Sequence, residues 1–123
     1  MAKILIVDDD PDFVVVSRMI LEKEGYQVLA AANGRQALEI MHWGKPDLVL
    51  LDVMMSTTLE GVNVSKEMEA DPELKGVPIV MISSIATTEY ASEFPEEAIP
   101  IDAWISKPIQ PAVLLKTVKR FVG

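Results

Sequence analysis

Five short runs of apolar residues recur along the chain, most of them followed by a stretch with helical spacing, and this alternation restricts the fold more than any other feature. The runs are Ile4-Leu5-Ile6-Val7, Val28-Leu29-Ala30-Ala31, Leu48-Val49-Leu50-Leu51, Val77 to Ile82, and the short Ala103-Trp104-Ile105. Most are apolar at consecutive positions, not at every second one, so as strands they need cover on both faces, as in a parallel sheet between two helical layers. Between the first two runs, Phe13, Val16, Ile20 and Leu21 form one apolar helical face, opened by Asp10-Pro11 and closed by Gly25. A second helix is predicted from Asn33, with Gln36 in a capping-box-like position, through Ala37, Leu38 and Met41 to Gly44 and Pro46. A third covers Val62 to about Glu69, and the last runs from Pro111 through Leu114, Leu115, Val118 and Phe121. Between Ala86 and Ile101, Pro95 and Pro100 interrupt a stretch that starts with β-branched Thr87 and Thr88, which predicts a short or irregular fourth helix. The expected architecture is an open five-stranded parallel α/β sheet with helices on both faces.

A chain of 123 residues is long enough for one sizeable core and short for two, so residues 1–123 are expected to form a single domain. It has no cysteine, which removes disulfides and thiolate metal sites. The first apolar run is cut off by Asp8, Asp9 and Asp10, far short of a signal-peptide core or a membrane span, and a cytoplasmic location without membrane association is expected. The formal net charge is −8 and the basic residues are scattered, so direct nucleic-acid binding is disfavoured.

The strand ends collect the chemistry. Asp8 and Asp9 follow the first run, Asp52 the third, Ser83 the fourth, and Lys107 lies just beyond the fifth. In a parallel sheet all of these face one edge, where ligands bind in open α/β folds. If the first and third strands are neighbours, three carboxylates meet. Two unit charges about 5 Å apart repel by roughly 3 kcal/mol at an effective dielectric near 20. Such a cluster calls for a counter-cation, and hard oxygen ligands with room for water and phosphate suit Mg²⁺.

With these residues in place, the chain resembles the receiver domains of the response-regulator family. The resemblance is carried by Ile4-Leu5-Ile6-Val7-Asp8-Asp9-Asp10, Leu50-Leu51-Asp52-Val53-Met54-Met55, Ile82-Ser83-Ser84 and Ser106-Lys107-Pro108, and it spans Lys3 to Phe121. It implies a flavodoxin-like sheet of order 2-1-3-4-5 and a cytoplasmic switch in two-component phosphorelay signalling. It also implies that Asp52 takes a phosphoryl group from a sensor histidine kinase or phosphotransfer protein, and that the signal passes to a downstream protein partner. By the same resemblance Asp9, Asp52 and the main-chain carbonyl of Met54 would ligate Mg²⁺, with Asp8 helping through a bound water. Lys107 and the Ser83 hydroxyl would each meet a phosphoryl oxygen, and Trp104 would be the aromatic switch. Such a chain is no enzyme in the ordinary sense; it catalyses only its own phosphorylation and slow dephosphorylation.

Each of these residues also has a plainer reading. Asp10 reads as a helix cap, Ser84 as a loop polar group, and Met54, Met55 and Met81 as packing. Trp104 would equally serve to fill the edge of the core. His42, beside Trp43, has no second ligand nearby in sequence, which favours surface or structural duty. The chain departs from the family at Ser56, where a proline is usual, and at Gly61, where the glycine comes one residue late, so the loop Ser56 to Glu60 should differ in shape. A haloacid-dehalogenase-type phosphohydrolase would need a second acid where Met54 stands. A flavodoxin-like carrier would need a hydroxyl-rich loop where Asp8 to Asp10 stand. A pseudo-receiver that binds partners without phosphorylation would have no need of Asp52, Asp9 and Lys107 together.

Met54 and Ile85 occupy the positions that flank the phosphoryl group in receivers, and neither side chain orients a water for attack. A long-lived aspartyl phosphate is therefore expected. Placing polar groups there, as Met54→Asn with Ile85→Glu, should speed its decay roughly ten- to hundredfold, the equivalent of about one to three kcal/mol. Equal decay rates in the two proteins would show that these positions do not govern hydrolysis.

Overall fold

The computed structural model describes residues 2–52, 60–83, 103–106 and 109–122, with the backbone alone at 60–62, 83, 104 and 106. The apolar runs become strands β1 (Lys3–Val7), β2 (Gln27–Ala31), β3 (Leu48–Asp52), β4 (Ile79–Ser83) and β5 (Ala103–Ser106). All pair in parallel in the order β2-β1-β3-β4-β5. Between and after them lie helices α1 (Pro11–Lys23), α2 (Gly34–Gly44), α3 (Glu60–Ala70) and, at the end, α4 (Pro111–Val122). The segment 86–101, where a short or irregular helix was expected, lies outside the described residues.

Side chains alternate across the pleat and sort into two cores. Leu5, Val7, Val49, Leu51, Ile79 and Met81 pack with Ala37 and Met41 of α2 and Val64 and Met68 of α3. Ile4, Ile6, Leu48, Leu50, Val80 and Ile82 pack on the opposite face with Leu21 of α1 and Leu114 and Val118 of α4. The four β1 side chains from Ile4 to Val7 have no solvent exposure, as consecutive apolar residues between two helical layers require.

The helix signals operate as their chemistry dictates. The Asp10 side chain accepts the backbone N–H groups of Asp12 (3.0 Å) and Phe13 (3.4 Å), and Pro11 stands in the first turn, where its missing N–H costs nothing. Gly25, at φ +93°, makes the left-handed turn that leads α1 into β2. Asn33 accepts the N–H of Gln36 at 2.9 Å, while the Gln36 side chain reaches back to the N–H of Ala32 at 3.0 Å, one residue earlier than a standard capping box.

Three expectations need correction. Val16, expected on the buried face of α1, is 56% exposed. The buried stripe runs instead through Ser17 and Leu21, and Val16 is turned about 100° from it by the helical step. β4 begins at Ile79, not Val77, because the Val77 N–H is spent on the Leu74 carbonyl (3.0 Å) and Pro78 has none to give to a ladder. α3 begins at Glu60, two residues before Val62, so Gly61 lies within it. At the outer edge of the sheet, Arg18 of α1 donates from Nη2 to the Val28 carbonyl at 3.2 Å. Its buried Nε has no hydrogen-bond partner among the described residues.

Truncation of a side chain between the sheet and the α1/α4 layer tests this packing. Leu50→Ala should lose about 2–5 kcal/mol, seen as a lower urea midpoint with an unchanged slope. A loss below about 1 kcal/mol would mean that this layer is not closely packed.

Candidate functional site: an acidic cluster at the carboxyl edge

β1 lies directly beside β3, with Val7 opposite Leu51, so the next residue of each strand, Asp8 and Asp52, reaches the carboxyl edge of the sheet side by side. Asp9 follows at the tip of the turn. One carboxylate oxygen from each of Asp8, Asp9 and Asp52 lies within 4.8 Å of the others. Asp8 is 2% and Asp52 6% exposed, whereas Asp9 faces solvent.

Local bonds fix this turn. The Asp8 N–H continues the sheet by donating to the Ala31 carbonyl (3.0 Å), and Asp8 Oδ1 accepts the Asp10 N–H (2.9 Å). Asp10 in turn caps α1, so one run of three acidic residues divides between cluster and cap. Three like charges at this separation, two of them withdrawn from water, repel strongly. An all-oxygen donor set with two walls buried and one side open to solvent is compatible with a hard divalent cation that retains several waters. Among the described residues this is the one group of three acidic or ligating side chains close enough to share an ion.

The remaining sequence candidates divide by position. Ser83 is the last residue of β4, opposite Ser106 of β5, and its backbone lies at the same edge as Asp52, which pairs with Ile82. Trp104 sits in β5 opposite Met81. Met54 and Lys107 lie outside the described residues, as do Met55, Ser56, Ser84 and Ile85. Met81 is fully buried and serves packing. His42, which stands alone in the sequence, has two partners in the fold: Glu73 at 2.9 Å from Nδ1 and Asp71 at 3.2 Å from Nε2. Glu73 is 31 positions further on, too far for local patterning to have joined them.

Fold and site together define a flavodoxin-like α/β protein with an acidic, cation-compatible cluster at the carboxyl edge of its sheet. The chain belongs to the response regulator receiver family, whose domain model matches residues 4–119. It is 32% identical to the polar-differentiation response regulator DivK of Brucella anthropi, over 98% of this chain and 95% of that protein. It is 33% identical to protein PilH of Pseudomonas aeruginosa, over 96% of this chain and 95% of that one. Among solved structures, the chemotaxis protein CheY4 of Vibrio cholerae superposes with a TM-score of 0.88 at 32% identity, covering 98% of both chains. The role of this chain is that of a two-component signalling receiver, a signalling switch.

Relief of the carboxylate repulsion should be measurable as heat stability. Mg²⁺ should raise the melting temperature of the native protein, by the equivalent of about 2.7 kcal/mol at a hundredfold excess over Kd. Asp9→Ala should abolish that response and, with one repelling charge removed, should melt higher than the native protein in the absence of Mg²⁺. Equal Mg²⁺ responses in both proteins would dismiss the cluster as the cation site.

Proposed function

We propose that Asp52 is the phosphoacceptor of this receiver and that it acts with Mg²⁺ held by Asp8, Asp9, Asp52 and the Met54 carbonyl. The observation that carries this reading is the meeting of Asp8, Asp9 and Asp52 at the carboxyl edge. A carboxylate oxygen of Asp52 forms the new bond to phosphorus as the P–N bond of a donor phosphohistidine breaks. The histidine nitrogen keeps that electron pair and takes up a proton. Asp52, at the end of a buried strand, is held against the rotation that would spoil an in-line approach. Mg²⁺ in such a site offsets charge on the transferring group.

Lys107, the residue that follows β5 in sequence, and Ser83, at the end of β4, are the residues we assign to the phosphoryl oxygens; both assignments rest on family position, and that of Ser83 also on its place at the same strand edge as Asp52. Trp104 is assigned the switch role on the same basis, with output as a population shift between two protein-binding surfaces. Residues 1–123 are assigned to one domain, cytoplasmic in location. None of the helices described is long and apolar enough to cross a membrane, and the −8 charge disfavours nucleic acid.

Access supports a protein donor. α1 starts just after the acidic turn and exposes Val15 (55%), Val16 (56%) and Met19 (66%), an apolar face that a sensor kinase or phosphotransfer protein would cover while its histidine reaches Asp52. Acetyl phosphate should label the native protein and leave Asp52→Asn unlabelled by mass spectrometry. A Val16→Glu, Met19→Glu variant should keep the acetyl phosphate reaction and lose at least tenfold in transfer from a phosphorylated histidine donor. Label retained in Asp52→Asn would overturn the acceptor assignment.

A further inference from the structure

Of the three consecutive acidic residues after β1, Asp8 and Asp9 meet Asp52 in the cluster, and Asp10 does not. Asp10 instead faces two ways. Its N–H donates to Asp8 Oδ1 at 2.9 Å, back toward the cluster. Its side chain accepts the N–H groups of Asp12 (3.0 Å) and Phe13 (3.4 Å), and its carbonyl accepts the Val14 N–H at 3.2 Å, so the rest of the residue is committed to the first turn of α1.

The last torsion of an aspartate is soft, and a carboxylate left to itself swings over a broad range. A metal ligand has to be held within a narrow one. The Asp10 N–H does this for Asp8, whose side of the turn is buried (2% exposed), so that water has little access to replace the bond. Where that N–H sits depends in turn on α1. Residue 10 is extended, at φ −89° and ψ 107°, and joins a helix that Phe13 and Leu21 anchor on the sheet. Without the Asp10 carboxylate, the N–H groups of Asp12 and Phe13 lose their acceptor and the first turn frays. The donor that steadies Asp8 then frays with it.

We propose that Asp10 is a positioning residue for the cluster: capping α1 with its side chain while holding Asp8 with its N–H, it joins the order of the first turn of α1 to the affinity of Asp8, Asp9 and Asp52 for a divalent cation. The inference rests on the reading of that cluster as the Mg²⁺ site. Such a coupling is reciprocal. An ion that needs Asp8 in its held orientation orders the first turn, and whatever orders the first turn tightens the ion by the same factor. A phosphoryl donor that covers Val15, Val16 and Met19 grips the same helix just beyond that turn, so donor docking and ion binding reinforce each other. The plainer alternative is that Asp10 merely adds one more negative charge near the ion. Asparagine separates the two, because it caps a helix about as well as aspartate and carries no charge.

The test is a magnesium chloride titration of the whole protein, read by NMR at the amides of Asp8, Asp9 and Asp52, beside the variants Asp10→Ala, Asp10→Asn and Leu114→Ala. Asp10→Ala should weaken Mg²⁺ about fivefold, the equivalent of the roughly 1 kcal/mol that a lost cap costs. Asp10→Asn should stay within about twofold of the native affinity. So should Leu114→Ala, which loosens the packing between α1 and α4 but leaves the turn intact. Hydrogen exchange gives the reciprocal reading: Mg²⁺ should slow exchange at the Asp12 and Phe13 amides of the native protein and not of Asp10→Ala, whereas a cap without a link to the ion would leave those rates unmoved. Equal weakening in Asp10→Ala and Asp10→Asn would overturn the inference in favour of charge, and equal weakening in Leu114→Ala in favour of general stability. A native response that Asp10→Ala shares would overturn it while leaving the cation site standing. No Mg²⁺ response at Asp8, Asp9 and Asp52 of the native protein would remove the site and the inference together.

Discussion

Because β1 and β3 pair side by side with Val7 opposite Leu51, the residues that follow them have no choice but to meet, and most of what this molecule does follows from that register. Both strands are buried on both faces, so a slip of one residue would turn every side chain into the wrong core. Packing thus holds Asp8 and Asp52 together against their mutual repulsion. An all-oxygen cluster assembled in this way is compatible with a hard cation. The apolar sheet is, in energetic terms, the spring that keeps the acidic edge loaded.

Much of this was legible in the sequence. Consecutive apolar residues announce strands covered on both sides, and the caps at Asp10 and Asn33 mark helix starts because a side-chain oxygen must meet orphan N–H groups. Asp8, Asp9 and Asp52 were readable because strand order in such sheets converts distant positions into neighbours. Contacts that no local pattern encodes were not legible in this way. Val16 is as apolar as the residues around it, and only the actual rotation of α1 on the sheet turns it outward. The start of β4 depends on where the Val77 N–H finds its acceptor. The partners of His42 come from a turn beyond the next strand and helix, and a lone histidine in a sequence carries no sign of them.

The two ends of the strands are built from different chemistry. The carboxyl edge is a converging set of acidic side chains set into a rigid frame. The amino edge is made by connections that hold the frame: Lys3 and Asp47 exchange backbone and side-chain hydrogen bonds at 2.8 Å, and Lys3 Nζ reaches the Gly44 carbonyl at 3.1 Å, tying the end of α2 to the entry of β1. A β-carbon on Gly44 would stand 2.8 Å from Leu29 Cδ1, so α2 sits close on β2 at that point and a larger residue would need the tip of Leu29 to move aside.

The contact of Arg18 with β2 has a consequence for how the molecule behaves in a crowd. β2 is an outer strand, and since the Gln27 N–H and the Ala31 carbonyl are bonded toward β1, Val28 and Ala30 turn their hydrogen-bonding groups outward. A row of such groups is a template on which a foreign strand can grow, the first step toward fused sheets and fibrils. The guanidinium of Arg18 already occupies the Val28 carbonyl. An incoming strand must evict a charged group to extend the sheet, so copies meeting at high local concentration are steered away from merging their sheets.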